Sequence, residues 1–298
     1  MKLLVTGGSG VIGSALCARA TELGWTSTRL RRTTNGSPSG PTWDVTTGRI
    51  DLSQAGPLDA VIHLAGETIA QRWTSAARRR IRESRVVGTR ALGAALKTLP
   101  TRPRVIICAS ATGYYGDRGD EWVDEGSAPG RGFLSEVCQD WEATARQEMP
   151  GDSRLVLLRF GIVLTNRGGA LTKMLPVFRL GLGGKLGDGR QYWSWIALHD
   201  LVRVIERALM DDRWCGVCNV VSPNPVTNAQ FTRSLGTVLN RPTGLGIPRF
   251  LVGWMLGAMG REALLFSTRV RPARLLELGY DFDSPTLAPA LEGLLKRG

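Results

Sequence analysis

"KLLVTGGSGVIGSAL", residues 2–16, decides the fold. Leu3, Leu4 and Val5 form an apolar run of the kind found in a buried strand. Gly7, Gly10 and Gly13 follow at three-residue intervals, and apolar residues then recur with helical spacing. In a strand–loop–helix unit such glycines have physical tasks. They permit a tight turn, let the backbone approach a pyrophosphate, and let the helix pack close to the sheet. The helix start at Val11 and Ile12 aims unpaired N–H groups and the positive end of its dipole at the same phosphates. The stretch predicts a dinucleotide site built on Gly7, Gly10, Val11, Ile12 and Gly13.

Working outward, strand-like and helix-like segments alternate. "DAVIHLAG", "RVIICASA" and "SRLVLLRFGIVL" read as buried strands, and "TSTRLRR" as the second strand. "SAARRRIRESRVVGTRALGAALKTL" and "GFLSEVCQDWEATARQEM" read as helices between them. This pattern predicts an α/β fold: a doubly wound parallel sheet of the Rossmann kind with a smaller mixed C-terminal substrate lobe. After Leu164 the chain becomes rich in glycine and aromatics, and it returns to the sheet near "CNVV". The expected organisation is a nucleotide-binding domain over 1–164 plus about 192–221, with the substrate lobe over 165–191 and 222–298. "SPNPVTNAQFTRSLGTVLN" reads as a turn followed by a capped helix.

Composition narrows the function classes. No apolar run reaches the length needed to cross a bilayer, and the N-terminus lacks a signal-peptide pattern, so a cytoplasmic protein is expected. The five cysteines are irregularly spaced, and the only histidines are His63 and His199, so neither a disulfide framework nor a metal site is expected. The net charge of +12 is spread along the chain: 21 basic and 16 acidic residues over 1–160, 17 and 10 thereafter. Its one dense cluster, "RRRIRESR" at 78–85, lies in a helical pattern and reads as a solvated face, so nucleic acid is not the expected partner.

The end of the second strand selects the dinucleotide. A site for NAD carries Asp or Glu there, accepting from the ribose 2′-OH. This chain runs instead through Arg29, Arg31 and Arg32. Guanidinium forks suit a 2′-phosphate, which favours NADP (NADPH) over NAD. Asp44, after the third strand, is placed to face the adenine amino group. Leu64, Ala65, Gly66 and Glu67 follow where the chain would pass under the adenosine ribose. His63 reads as a packed strand histidine.

The glycine loop, "HLAG", "CASATGYYG" and "SWIALHDL" together resemble extended short-chain dehydrogenase/reductases of the epimerase/dehydratase type. "HLAGETIAQRWTSAARRRIRESRVVGTRAL", "GYYGDRGDEWVDE", "GGALTKMLPVFRLGLGGKLGDGRQYWSWI" and "VSPNPVTNAQFTRSLGTVLNRP" narrow this to the atypical "epimerase family protein" branch. The resemblance covers nearly the whole chain and implies hydride chemistry on a small carbonyl or alcohol. In the superfamily it implies, a Ser or Thr orients the substrate. A Tyr serves as acid, and a Lys one helical turn on sits with it over the nicotinamide ribose. Here the residues four after Tyr114, Tyr115, Tyr192 and Tyr280 are Arg118, Gly119, Ile196 and Ser284, so no Tyr-x-x-x-Lys exists. The expected positions hold either Phe133 with Val137 or Leu134 with Cys138.

Ser110, or Ala111 one position on, stands where the orienting hydroxyl belongs, and Glu142 reads as structural. Tyr115 and Lys185 are the expected catalytic groups beside Ser110, with Tyr114 and Glu67 as further proton-donor candidates. Ser84, Arg85, Tyr114, Gln191, Trp193 and Trp195 are expected to line the substrate pocket, and Arg159 to border the nicotinamide. The tryptophans have a second reading, one in the core and one on the surface; His199-Asp200 reads as a helix start. Two functions remain open from sequence: an NADP-dependent oxidoreductase or epimerase-like enzyme with a nonstandard proton donor, or a non-catalytic NADP(H)-dependent binder. A homodimer is expected by resemblance alone.

Overall fold

The computed structural model describes residues 1–33, 40–44 and 47–296. Six parallel strands make the central sheet: β1 (Lys2–Thr6), β2 (Thr26–Arg29), β3 (Ala60–His63), β4 (Val105–Ala111), β5 (Arg154–Phe160) and β6 (Gly216–Val220). They lie in the order β6-β5-β4-β3-β1-β2. β1 therefore has β2 on one side and β3 on the other. The chain leaves it in opposite directions, which opens a crevice at the C-terminal ends of β1 and β3.

Strand alternation fixes the two helical layers. Leu3, Val5, Ile62, Ile107 and Leu158 share one core with Leu16 of α1 (Val11–Glu22) and with Leu201 and Ile205 further along the chain. Their neighbours Leu4, Val61, Ile106 and Leu157 face a second core, with Leu92 and Leu96 of α2 (Ser75–Lys97) and Ala145 of α3 (Phe133–Glu148). The inner strands are covered on both faces and read as apolar runs, whereas β2 at the edge is Thr-Ser-Thr-Arg.

The segment 26–32, expected as one strand, is two. β2 ends at Arg29; Leu30 turns its side chain into the core beside Trp43, and Arg31–Thr33 starts a new strand. That strand pairs with Thr42–Asp44, which pairs in turn with Arg49–Asp51. The resulting three-stranded flap extends the sheet edge.

The smaller lobe has its own core of Leu164, Leu171, Trp193, Trp195, Phe231 and Leu291. It is built from α4 (Gly169–Arg179), α6 (Asn228–Leu239) and α9 (Leu287–Lys296), with α5 (Leu198–Met210) returning the chain to the sheet. Thr227 caps α6 reciprocally with Gln230, as a capping box should. α7 (Arg249–Leu264) breaks at Gly257, where φ is 60°. The chain then returns to the large domain. Arg269–Val270 pairs with Trp122–Val123, and Leu275 of α8 (Ala273–Glu277) and Tyr280 enter the large core. The chain thus crosses between the two cores more than once. Among the described residues no helix is long and apolar enough to cross a membrane.

Candidate cofactor and substrate cleft

The glycine loop sits in the crevice between β1 and β3. Gly7 has φ +68°, and a Cβ on it would lie 2.9 Å from the Leu64 carbonyl carbon. A Cβ on Gly13 would lie 2.4 Å from the Gly7 carbonyl oxygen, so α1 approaches its own loop more closely than a side chain allows. Gly10 caps α1 without a side chain, and the first turn carries no acid. The N–H groups at Val11, Ile12 and Gly13 are left for an anion. Gly168, before α4, packs against Val11, so the small lobe borders the loop directly.

Below the loop, Thr6 Oγ1 accepts from the N–H groups of Leu64 and Ala65, each at 3.1 Å. Thr6 also bonds His63 Nδ1 at 2.7 Å, and His63 Nε2 bonds Thr89 Oγ1 at 3.0 Å. Trp141 Nε1 donates to the same Thr89 oxygen. His63 is wholly buried in this chain of bonds. Burial, with the Arg85 charge adding to it, pushes its pKa down to about 4. It is a structural neutral imidazole.

The adenosine end of the crevice is cationic. The stem of Arg29 lies over Gly8, 2.8 Å from where a Cβ would sit. A groove of about 500 Å³ runs between α1 and β2, lined by Ser14, Thr21, Thr28, Arg29, Arg31 and Gly40. Arg31 and Arg32 are exposed beside it. Asp44 holds the flap turn by accepting from Thr47 N and Oγ1 at 3.2 and 2.8 Å.

Past the sheet centre, the expected catalytic residues enter a buried network. Ser110 donates to Glu142 Oε1 at 2.7 Å. Arg159 donates to both oxygens of Glu142, at 2.7 and 2.8 Å, and to the Tyr115 hydroxyl at 2.9 Å. Tyr115 in turn donates to Asn219 Oδ1 at 2.7 Å. Ser110, Glu142, Arg159, Tyr115 and Asn219 are all at most 2% exposed. Burial pushes the Tyr115 phenol up to about 12, against the pull of Arg159. This geometry gives Ser110, Tyr115 and Arg159 protein hydrogen-bond partners and almost no contact with solvent.

Tyr114 is different. It is half-buried, its ring stacks under the Arg159 guanidinium at 3.4 Å, and its hydroxyl has no hydrogen-bond partner among the described residues. It sits in a short 3₁₀ turn, Thr112–Tyr115, directly after β4. Gly113 in that turn packs against Leu134 and Cys138 of α3. Tyr114 is thus the phenol that the sheet edge presents.

The loop after β3 forms the opposite wall. Glu67 N donates to Ser84 Oγ, and Glu67 Oε1 accepts from Gln71. Lys173 of α4 reaches the Ala70 carbonyl at 3.3 Å, bridging the two lobes across the cleft. Arg85 donates through Nη1 to the carbonyls of Glu67 and Ile81.

The remaining expected pocket residues lie elsewhere. Trp193 and Trp195 are both in the small core, each donating its indole N–H to a carbonyl, of Leu264 and Asn224 respectively. Gln191 is buried and donates to the carbonyls of Leu186 and Leu264. Lys185 is exposed and packs against Gly189 and Gly246 of the small lobe. Asp200 is buried in the first turn of α5, where it accepts from the N–H groups of Asp283 and Ser284. Glu262 escaped the sequence reading. It accepts from Leu134 N at 3.1 Å and caps α3 in place of the side chain that Gly132 lacks. A separation of 128 residues leaves no local signal for such a contact.

Known proteins resemble this chain in sequence and in fold. The profile of the NAD dependent epimerase/dehydratase family matches residues 3–216, and a domain of unknown function (DUF1731) matches 247–294. Epimerase family protein Mb2239 of Mycobacterium bovis is 40% identical over 288 residues, 96% of this chain and 95% of that protein. Human epimerase family protein SDR39U1 is 35% identical over 302 residues, 99% of this chain and 100% of that protein. A crystal structure of human SDR39U1 (isoform2) with NADPH superposes with a TM-score of 0.90 at 33% identity, covering 100% of both chains.

Proposed function

We propose that this chain, which belongs to the NAD dependent epimerase/dehydratase family, is an NADPH-binding oxidoreductase or epimerase-like enzyme acting on a small carbonyl or alcohol. The observation that carries the reading is the pairing of the open α1 N-terminus with the groove lined by Arg29 and Arg31, next to the exposed Arg32. The human relative crystallised with NADPH supports it.

The residues present fit the dinucleotide. The α1 N–H groups would take the pyrophosphate, with Gly7 and Gly13 allowing the approach. The arginines would pair with the 2′-phosphate, for which β2 supplies no competing carboxylate. Bound NADPH would supply the hydride. Tyr114 is the proton donor in this reading, because its phenol has no hydrogen-bond partner among the described residues while that of Tyr115 is spent on Asn219. In the reductive direction the substrate carbonyl carbon gains a C–H bond and its oxygen takes the Tyr114 proton, leaving an alcohol; water restores that proton. Arg159 holds the ring in place from its face.

The test is a calorimetric titration of cofactor-stripped protein with NADPH and NADH, followed by a panel of carbonyl substrates. Selective NADPH binding with turnover that falls in Tyr114→Phe supports the enzyme. Binding of neither dinucleotide overturns the reading. NADPH binding without turnover on any substrate favours a non-catalytic binder, a reading also supported by the missing Tyr-x-x-x-Lys.

A further inference from the structure

We infer that the substrate of this cleft carries its carbonyl or alcohol on an apolar body, aliphatic or aromatic, and not on a nucleotide-linked sugar. This names the substrate class of the NADPH-dependent reaction proposed above and rests on that reading.

The wall beside the proton donor is apolar. A Cβ on Gly113, the residue before Tyr114, would lie 3.3 Å from Leu134 Cβ at the start of α3. Leu134 and Phe133 belong to a cluster with Trp73 and Ile69 of the loop after β3 and with Ala258 and Met259 of α7. Three separate parts of the chain thus converge next to Tyr114. Trp73 is buried, whereas the other five residues keep part of their surface open to water. The Trp73 ring meets Phe133 edge to face, with centroids 5.1 Å apart, and its indole N–H is spent on the Ile69 carbonyl. What these side chains offer a ligand is hydrocarbon surface.

The wall is held in place. α7 breaks at Gly257, and a Cβ on Gly260 would lie 2.7 Å from Leu256 Cβ, so the two halves of α7 fold against each other. Ala258 and Met259 come directly after the break. Glu262, about one turn on, accepts from Leu134 N at 3.1 Å and ties that half to α3. The apolar surface continues outward along α4. Lys173, Val177 and Leu180 share one helix face by their spacing, and Lys173 reaches the Ala70 carbonyl, next to Ile69. Val177 and Leu180 are exposed there.

A nucleotide-linked sugar asks for different chemistry: cations or free N–H groups for its diphosphate, and polar partners for its hydroxyls. The N-terminus of α3, which would suit an anion, is filled by the Glu262 carboxylate. Arg85 is held by two backbone carbonyls and Arg159 by Glu142. Arg78 lies against the rings of Trp73 and Phe133, and Lys173 donates to Ala70. An apolar body instead gains from leaving water for the wall. In the reductive direction its carbonyl carbon takes the hydride of NADPH and its oxygen takes the Tyr114 proton, giving the alcohol and NADP⁺.

Methyl ketones from butanone to octanone add one methylene at a time and no polar group. Calorimetric titration of each into the protein–NADP⁺ complex measures the wall. Affinity should rise about fourfold per methylene until the wall is covered, the value of a buried CH₂. UDP-glucose should not bind the same complex. Met259→Gln and Ile69→Thr put a polar group on the wall from two separate elements, so that a folding failure in one leaves the other. Each should flatten the series to below about twofold per methylene, because the polar group holds water at the site, while NADP⁺ affinity stays at the wild-type value. Affinity independent of chain length, binding of no ketone, or binding of UDP-glucose would overturn the inference with NADP⁺ still bound. A series as steep in both variants as in wild type would place the apolar site elsewhere and overturn it too. Failure of wild type to bind NADP⁺ would overturn the functional reading beneath it.

Discussion

Arg159 and Glu142 meet in a two-point ion pair, Nε to Oε1 at 2.7 Å and Nη2 to Oε2 at 2.8 Å, with both side chains almost wholly out of water. Burial opposes the charge on each. The hydrogen bonds and charge of Arg159 nonetheless hold Glu142 below the ordinary carboxylate range, and Arg159 is held above its own. The pair ties β5 to α3 and, through Ser110, to β4. Glu142→Gln preserves the shape but strands a buried guanidinium. It should cost about 3–5 kcal/mol, read as a lower urea midpoint with an unchanged slope. A loss below about 1 kcal/mol would show that Arg159 keeps enough partners without the carboxylate charge, among them the Tyr115 hydroxyl.

Adjacent tyrosines should fail in opposite ways. Tyr115→Phe removes the acceptor for Arg159 and the donor for Asn219, both buried, and should destabilise by about 1–3 kcal/mol. Tyr114→Phe removes a hydroxyl that has no partner among the described residues and should leave the unfolding midpoint near wild type. On a substrate that wild type turns over, Tyr114→Phe should lower kcat by about 10²–10⁴-fold, the usual contribution of one acid. Thermal unfolding and initial rates on both variants decide this. The reverse pattern would return the proton to Tyr115.

The sequence exposed the sheet because parallel strands buried on both faces must be apolar throughout, and the glycine loop because backbone contacts at Gly7 and Gly13 exclude side chains. The sequence favoured Tyr115 as the catalytic phenol, but which of the two is buried depends on Arg159 and Asn219, 44 and 104 residues from Tyr115. Trp193 and Trp195 suit a ring-binding pocket equally well by composition. Only the small lobe's own helices turn them into core. Lys185 was a candidate because it lies in the glycine-rich insertion of the small lobe; there it is exposed and packs against Gly189 and Gly246.

His63 predicts an acid limb of stability. Its pKa is about 4 when folded against 6.5 as an ordinary histidine, mainly through burial. The unfolded chain therefore binds the extra proton first. The contribution is complete above pH 6.5 and is lost as pH falls toward 4, by roughly 3 kcal/mol at most. His63→Gln should flatten this limb between pH 6.5 and 4 while losing some stability at neutral pH through the Thr6 and Thr89 bonds. Urea midpoints measured across that range on both proteins test it. An identical slope in the variant would assign the acid limb to the carboxylates.

The arginine corner predicts how the cofactor is chosen. Arg29 lies over Gly8 beside the phosphate loop, Arg31 lines the same groove, and no acid ends β2 to hold a free 2′-OH. Replacing both with alanine should therefore act on the 2′-phosphate alone. NADPH affinity should fall by roughly tenfold or more, as for the loss of charged hydrogen bonds, while NADH affinity stays within a factor of about two. Raising salt should weaken NADPH binding to wild type more than to the double variant, because exposed charge pairs are screened. Calorimetry with both dinucleotides at two ionic strengths measures each term. If NADH weakened equally, the arginines would be supporting the glycine loop through the Gly8 contact, and selectivity would have to come from the flap that begins at Arg31.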